Sequence, residues 1–212
     1  MREPAVTPIR KIGLVLPDLG SRHEIELISS IEEAASEHNC LIILRRSLGN
    51  PIKEKVAVQK MINVGIDGLL ILPVQGEYFS SEILRLTARR FPIVFLDRYL
   101  KGISAPVITS NNITAARKAT DYLFKLGHTH MGILSSPPLN TTSLEERIEG
   151  FVQAHLARGI LVDEQSWCVD LASLCTVPLN REEIEQDILT LAEHFKRCSS
   201  ITAWFAVDSG AA

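Results

Sequence analysis

The chain alternates between short apolar runs and longer amphipathic stretches. Ile12–Leu16 is a continuous apolar run of strand length. It breaks at Pro17-Asp18-Leu19-Gly20, and then Ile25, Ile28, Ile31 and Ala35 recur at helical spacing. Strand, loop and helix make half of a βαβ unit. The same alternation continues: strands are predicted at Cys40–Leu44, Gly68–Leu72, Pro92–Leu96 and Pro106–Thr109. Between them, helices are predicted from Pro51 through Val64, with Val56, Lys60, Met61 and Val64 on one side, and over Ser80–Arg90, carrying Ile83, Leu84 and Leu86. Gly65 stands where a helix C-cap is wanted.

The pattern then restarts. Helices are predicted over Ile113–Leu126, Ser143–Arg158 and Glu182–Arg197, and strands over Met131–Leu134, Ser166–Leu171 and Ile201–Val207. Alternation of this kind argues for parallel sheets covered on both faces by right-handed crossovers. The fold expected is α/β, with two doubly wound parallel-sheet lobes. Residues 1–10 read as a linker, 11–107 as a first lobe and 108–212 as a second. The second lobe has only three predicted strands and no closing helix, so the chain reads as a truncated piece of something longer.

Composition narrows the function classes. The 212 residues are 46% hydrophobic with a formal net charge of −3, ample for a core and without the basic surface of a nucleic-acid or membrane binder. Cys40, Cys168, Cys175 and Cys198 have no metal or redox spacing and read as reduced, structural thiols of a cytoplasmic protein. The start, MREPAVTPIRK, lacks the apolar region of a signal peptide, and no run reaches membrane-spanning length.

No GxGxxG, Walker lysine motif, GxSxG elbow or His/Cys metal cluster is present, so neither cofactor nor metal is expected. His128 and His130 read as contacts at a helix C-terminus, with a metal site as the alternative. What remains is polar residues at predicted carboxyl ends of strands, where open parallel sheets bind ligands. They are Asp18, Ser21, Arg22 and His23; Pro73 and Gln75; Asp97 and Arg98; Ser110, Asn111 and Asn112; Ser135, Ser143 and Arg147; and Asp208. If the two sheets turn these ends toward each other, one cleft collects them. Carboxylates accept, guanidinium donates in a fork and amides do both, a set suited to a hydroxyl-rich ligand. Local explanations stand beside this one. Ser143-Leu144-Glu145-Glu146 reads as a capping box. Arg147 could pair on the surface, and Asp97-Arg98 could be a salt bridge.

Several stretches resemble the effector-binding domain of LacI/GalR-type bacterial transcription regulators. They are IGLVLPDL (Ile12–Leu19), ISSIEEAA (Ile28–Ala35), VGIDGLLILP (Val64–Pro73), PIVFLDRYL (Pro92–Leu100), ATDYLFKLGHTHMGIL (Ala119–Leu134) and SLEERIEGF (Ser143–Phe151). They come in the family's order and spacing from about residue 10 onward. The resemblance implies a periplasmic-binding-protein-like fold of type I, closing over a sugar, sugar phosphate or nucleobase.

By the same resemblance, Arg147 matches the arginine that grips the ligand, and Ser143 a polar contact one turn before it. Asp97-Arg98 matches a frequent DR. Asn111-Asn112 stand where many members have Asp-Asn, and Val207-Asp208 where many have Asn-Asp. Gly20 to Glu24 lack the aromatics found there in other members, and Arg22 with His23 would favour an acidic or phosphorylated ligand.

The expected role is therefore a sensing and dimerisation domain, not an enzyme. Ligand-driven closure about residues 101–112 would alter the grip of a DNA-binding headpiece, absent from this chain, on operator DNA. A homodimer is expected, with helices Ile25–His38 and Pro51–Val64 as candidates for its face. A periplasmic solute-binding protein of a sugar transporter is the alternative on the same fold.

Overall fold

A computed structural model describes residues 8–20, 22–74, 76, 80–138, 140–175, 180–208 and 211. The chain divides into two compact units, Met1–Ile108 and Thr109–Ala212.

The first unit is a parallel sheet in the order β2-β1-β3-β4-β5. Its strands are β1 (Arg10–Leu16), β2 (Cys40–Arg46), β3 (Gly68–Ile71), β4 (Ile93–Leu96) and β5 (Val107–Ile108). The helices are α1 (Arg22–Glu37), α2 (Pro51–Val64) and α3 (Ser81–Ala88). Because side chains alternate along a strand, β1 serves two cores at once. Leu14 and Leu16 join Leu72 and Leu96 beneath Leu27, Ile28 and Ile31 of α1. Val15 joins Ile71 and Phe95 against Val58 and Met61 of α2 and Ile83 of α3. Strands are added on one side of β1 (β2) and then on the other (β3, β4, β5), which places the topological switch point at the carboxyl ends of the parallel β1–β3 pair.

Two helix faces differ from the expected ones. In α2 the buried positions are Glu54, Ala57, Val58 and Met61, while Val56 and Val64 are exposed. In α1 the stripe begins at Leu27 and Ile28, and Ile25 is exposed. Asn50 caps α2 by accepting from the Ile52 and Lys53 amides, and Gly65 ends the helix at φ 75°, the left-handed region glycine favours.

The second unit is a parallel sheet in the order β7-β6-β8, built from β6 (Met131–Leu134), β7 (Trp167–Cys168) and β8 (Ala203–Ala206). Its helices are α4 (Asn112–Lys125), α5 (Thr142–Leu156) and α6 (Arg181–Arg197). β6 is buried along its length, as the middle strand of a covered parallel sheet must be. The expected strand 166–171 is confined to Trp167–Cys168, because Glu164–Ser166 and Ala172–Cys175 turn helically on either side. Met131, Ile133, Leu144 and Phe151 form the core toward α5; Leu134, Cys168 and Leu171 form the one toward α6, with Leu191 packed against it. Cys40, Cys168 and Cys198 are free thiols, and burial pushes the Cys168 thiol up, which keeps it unreactive.

Gly150 sets the spacing of α4 and α5. A Cβ there would collide with the Ile113 carbonyl and stand 2.9 Å from Ala116 Cβ. The bare glycine lets the two helices approach closely, and that approach brings the start of α4 to the first turns of α5. Among the described residues no helix is long and apolar enough to cross a membrane.

Candidate functional site

All strand pairs are parallel, so each sheet has a single carboxyl rim. On the rim of the first unit, Asp18 follows β1, and its Oδ1 accepts from Arg46 Nη1 at 3.1 Å, from the end of neighbouring β2. Asp97 follows β4 in the left-handed region, φ 58°, an uncommon place for a residue with a Cβ. Its carboxylate lies 3.8 Å from Arg98 Nε, too far for a hydrogen bond, and that buried Nε has no hydrogen-bond partner among the described residues. Arg98 Nη1 donates weakly to the Val74 carbonyl at 3.5 Å.

Val74 is also the partner of the residue sequence reasoning missed. Glu54, on the buried side of α2, accepts from the Val74 amide at 2.7 Å and so ties that helix to the loop after β3. Burial pushes the Glu54 carboxyl up from 4.5 to about 7, against the lowering by the Val74 hydrogen bond. Nothing in the helical pattern signalled this, because a glutamate in a first helical turn ordinarily reads as solvated.

The rim of the second unit is organised around Arg147. Its Nε donates to Asn112 Oδ1 at 2.9 Å, and its Nη1 donates to the Val207 carbonyl at 3.0 Å. Asn112, 2% exposed, uses the other end of its amide to donate to Glu146 Oε2 at 2.9 Å. Both direct partners of the guanidinium are neutral oxygens, and its three other N–H groups have no partner among the described residues. Ser143 is 2% exposed, and the fully buried Ser135 Oγ, just past β6, has no hydrogen-bond partner among the described residues. Asn111 caps α4 by accepting from the Thr114 amide at 3.1 Å. Asp208, past β8, accepts from the Ala211 amide at 3.1 Å.

The structure thus gathers Asn112, Arg147 and the Val207 carbonyl in one network, with Glu146 as an unforeseen member. Arg22 and His23 stand instead in the first turn of α1, both exposed, and Arg22 pairs with Glu26 at 2.7 Å as an i,i+4 surface pair. Ser21 and Gln75 lie outside the described residues. The capping box at Ser143 is not formed. The cap residue is Thr141, Ser143 is already helical, and Glu145 instead accepts from the Asn140 amide at 3.2 Å. His128 Nδ1 meets Thr202 Oγ1 at 2.9 Å, away from the rim, and no group of metal-ligating side chains exists among the described residues.

Two covered parallel sheets with polar carboxyl rims define a ligand-binding α/β protein. Comparison with known proteins makes this specific: residues 9–197 match the family of periplasmic binding proteins and sugar binding domains of the LacI family, and the chain belongs to it. The HTH-type transcriptional repressor CytR of Escherichia coli K12 is 28% identical over 156 residues, 74% of this chain and 45% of that protein. The probable HTH-type transcriptional regulator EndR of Paenibacillus polymyxa is 29% identical over 142 residues, 66% of this chain and 41% of that protein. The chain therefore spans less than half the length of these curated relatives.

Among solved structures, the transcription regulator CcpA of Lactococcus lactis superimposes with a TM-score of 0.76 at 20% identity, covering 94% of this chain and 68% of that one. The Cra regulator of Pseudomonas putida, solved with fructose 1-phosphate, gives 0.75 at 16% identity, covering 94% and 69%. At these identities the likeness shows the shared fold.

Proposed function

We propose that this chain is the effector-sensing part of a LacI-type transcriptional regulator. The observation that carries the reading is Arg147, fixed by two neutral acceptors at the carboxyl rim of the second sheet, with three N–H groups that no described residue takes up. Asp18, Asp97, Arg98, Asn111, Ser143 and Asp208 supply further polar groups at the two rims. A sugar, sugar phosphate or nucleobase touching both rims would favour a closed arrangement of the two units by its differential affinity. That closure would change the fit of a DNA-binding headpiece to operator half-sites.

The regulator is read as cytoplasmic and as a binding module, not a catalyst. The curated relatives are regulators, which favours this role over that of a periplasmic solute-binding protein. The dimer face proposed is that of α1 and α2. Ile25 of α1 and Ile52, Val56 and Val64 of α2 are exposed, apolar side chains that a second copy would cover. Isothermal titration of the chain against sugars, sugar phosphates and nucleobases tests the reading. One saturable ligand is expected; no binding by any of them up to about 1 mM, a free energy near −4 kcal/mol, overturns it.

A further inference from the structure

We infer that Asn112 and Glu146 are positioning residues for Arg147, and that together they aim an uncompensated guanidinium at an oxyanion of the effector. The inference rests on the effector-sensing reading above and deepens it by naming the chemical class of the group bound.

Glu146 and Arg147 are adjacent in sequence, so on a helix they point about 100° apart and do not face each other. Asn112 joins them. Its Oδ1 takes the Arg147 Nε–H and its Nδ2 gives to Glu146 Oε2, both at 2.9 Å. A neutral amide thus stands between carboxylate and guanidinium, where a direct ion pair would have cancelled the charge. An amide can flip to exchange its oxygen and nitrogen, and only one orientation serves Arg147. Glu146, being acceptor-only when ionised, selects that orientation because it demands the N–H end. Val207 O holds Nη1 at 3.0 Å, so the plane of the guanidinium is fixed from two sides. The N–H groups that no described residue takes up are one on Nη1 and both on Nη2, the edge that grips two oxygens of a phosphate or carboxylate in a fork. Asn112 is buried, and Gly150 keeps α4 near enough to α5 for its amide to reach.

The test has a ligand-free half and a ligand half, both on this chain. In the first, side-chain 1H–15N spectra of arginine follow exchange of the Arg147 Nε–H, assigned by its loss in R147K. Slow exchange is expected in the unsubstituted chain. It should quicken at least tenfold in Asn112→Leu and in Glu146→Leu, while Glu146→Gln, which can still accept from Asn112, stays within about threefold. Glu146 lies on a half-buried helix surface, so its variants decide the matter if N112L does not fold. Unchanged exchange in E146L, or equal effects of E146L and E146Q, would overturn the positioning role.

In the second half, D-ribose 5-phosphate, D-ribose and inorganic phosphate are titrated as probes. The phosphate-bearing sugar should bind at least tenfold more tightly than D-ribose, and E146L should erode that ratio while E146Q preserves it. D-ribose binding as tightly as its phosphate would overturn the oxyanion assignment. Protected Nε–H with no uptake of these probes or of any sugar, sugar phosphate or nucleobase in the titration above would overturn the effector-sensing reading and leave the positioning role standing.

Discussion

The two carboxyl rims handle charge in opposite ways. In the first unit the three acidic side chains at or beside the rim have partners within the unit: Asp18 with Arg46 at 3.1 Å, Asp97 beside Arg98 at 3.8 Å, and buried Glu54 with the Val74 amide at 2.7 Å. In the second unit Arg147 is held by an amide oxygen and a main-chain carbonyl, and among the described residues its charge has no direct counter-ion. The first rim is built to stay as it is without a ligand. The second keeps a cation half-buried, a cost offset when an anionic or strongly accepting group arrives. Recognition energy is therefore expected to be concentrated in the second unit, with the first contributing shape and the linkage of α2 to the rim.

The strongest way to break this contrast is to move α4 off α5. Gly150→Val should destabilise the second unit by about 3 kcal/mol, through overpacking against the Ile113 carbonyl and Ala116, and should release Asn112 from Arg147. Urea unfolding of the variant checks it.

A pH effect of similar size is expected in the first unit. The Glu54 carboxyl, ordinarily near 4.5, titrates at about 7 in the folded chain, so the folded state holds its proton more tightly than the unfolded one. The stability this gives is complete below pH 4.5 and is lost as pH rises through 7, to a total of about 3 kcal/mol. Glu54→Gln, which keeps an acceptor for the Val74 amide without the charge, should flatten that dependence. Chemical denaturation at pH 5 and pH 8 would show the wild-type chain weakening and E54Q holding; parallel losses in both would contradict the buried, protonated carboxyl.

Smaller effects sharpen the comparison. Arg147→Lys keeps the charge and loses the fork, and should weaken effector binding by roughly 10- to 100-fold with a melting temperature close to that of the parent. Arg46→Ala removes the partner of Asp18. The Arg46 side chain is 48% exposed, and such pairs are worth less than about 1 kcal/mol, so only a slight loss of stability is expected by the same denaturation assay.

Much of the architecture was legible in the order of apolar runs, because a strand covered on both faces cannot tolerate polar interruptions. Met131–Leu134 and Gly68–Ile71 follow that rule closely. Helix faces were less legible. Val56, Lys60, Met61 and Val64 fit one helical side by spacing, yet the buried side is Glu54, Ala57, Val58 and Met61. A glutamate that buries itself to bond a loop amide 20 residues away leaves no mark in a periodicity.

At the site, Arg147 and Asn112 were foreseen singly, from strand ends and family resemblance. Their contact depends on Gly150, whose need for close helix packing is invisible until both helices are placed. By spacing alone Ser143-x-x-Glu146 reads as a capping box; the helix starts earlier, and that carboxylate turns to Asn112 instead.

Backbone amide shifts, recorded for the chain as its effector is added, test the central claim most directly. Perturbations are expected to cluster at the strand carboxyl ends, at Asp18, Asp97–Arg98, Asn111–Asn112, Ser135, Arg147 and Asp208. Perturbations centred on the opposite ends of the strands, around His128, His130 and Thr202, with Arg147 and its neighbours unmoved, would contradict it.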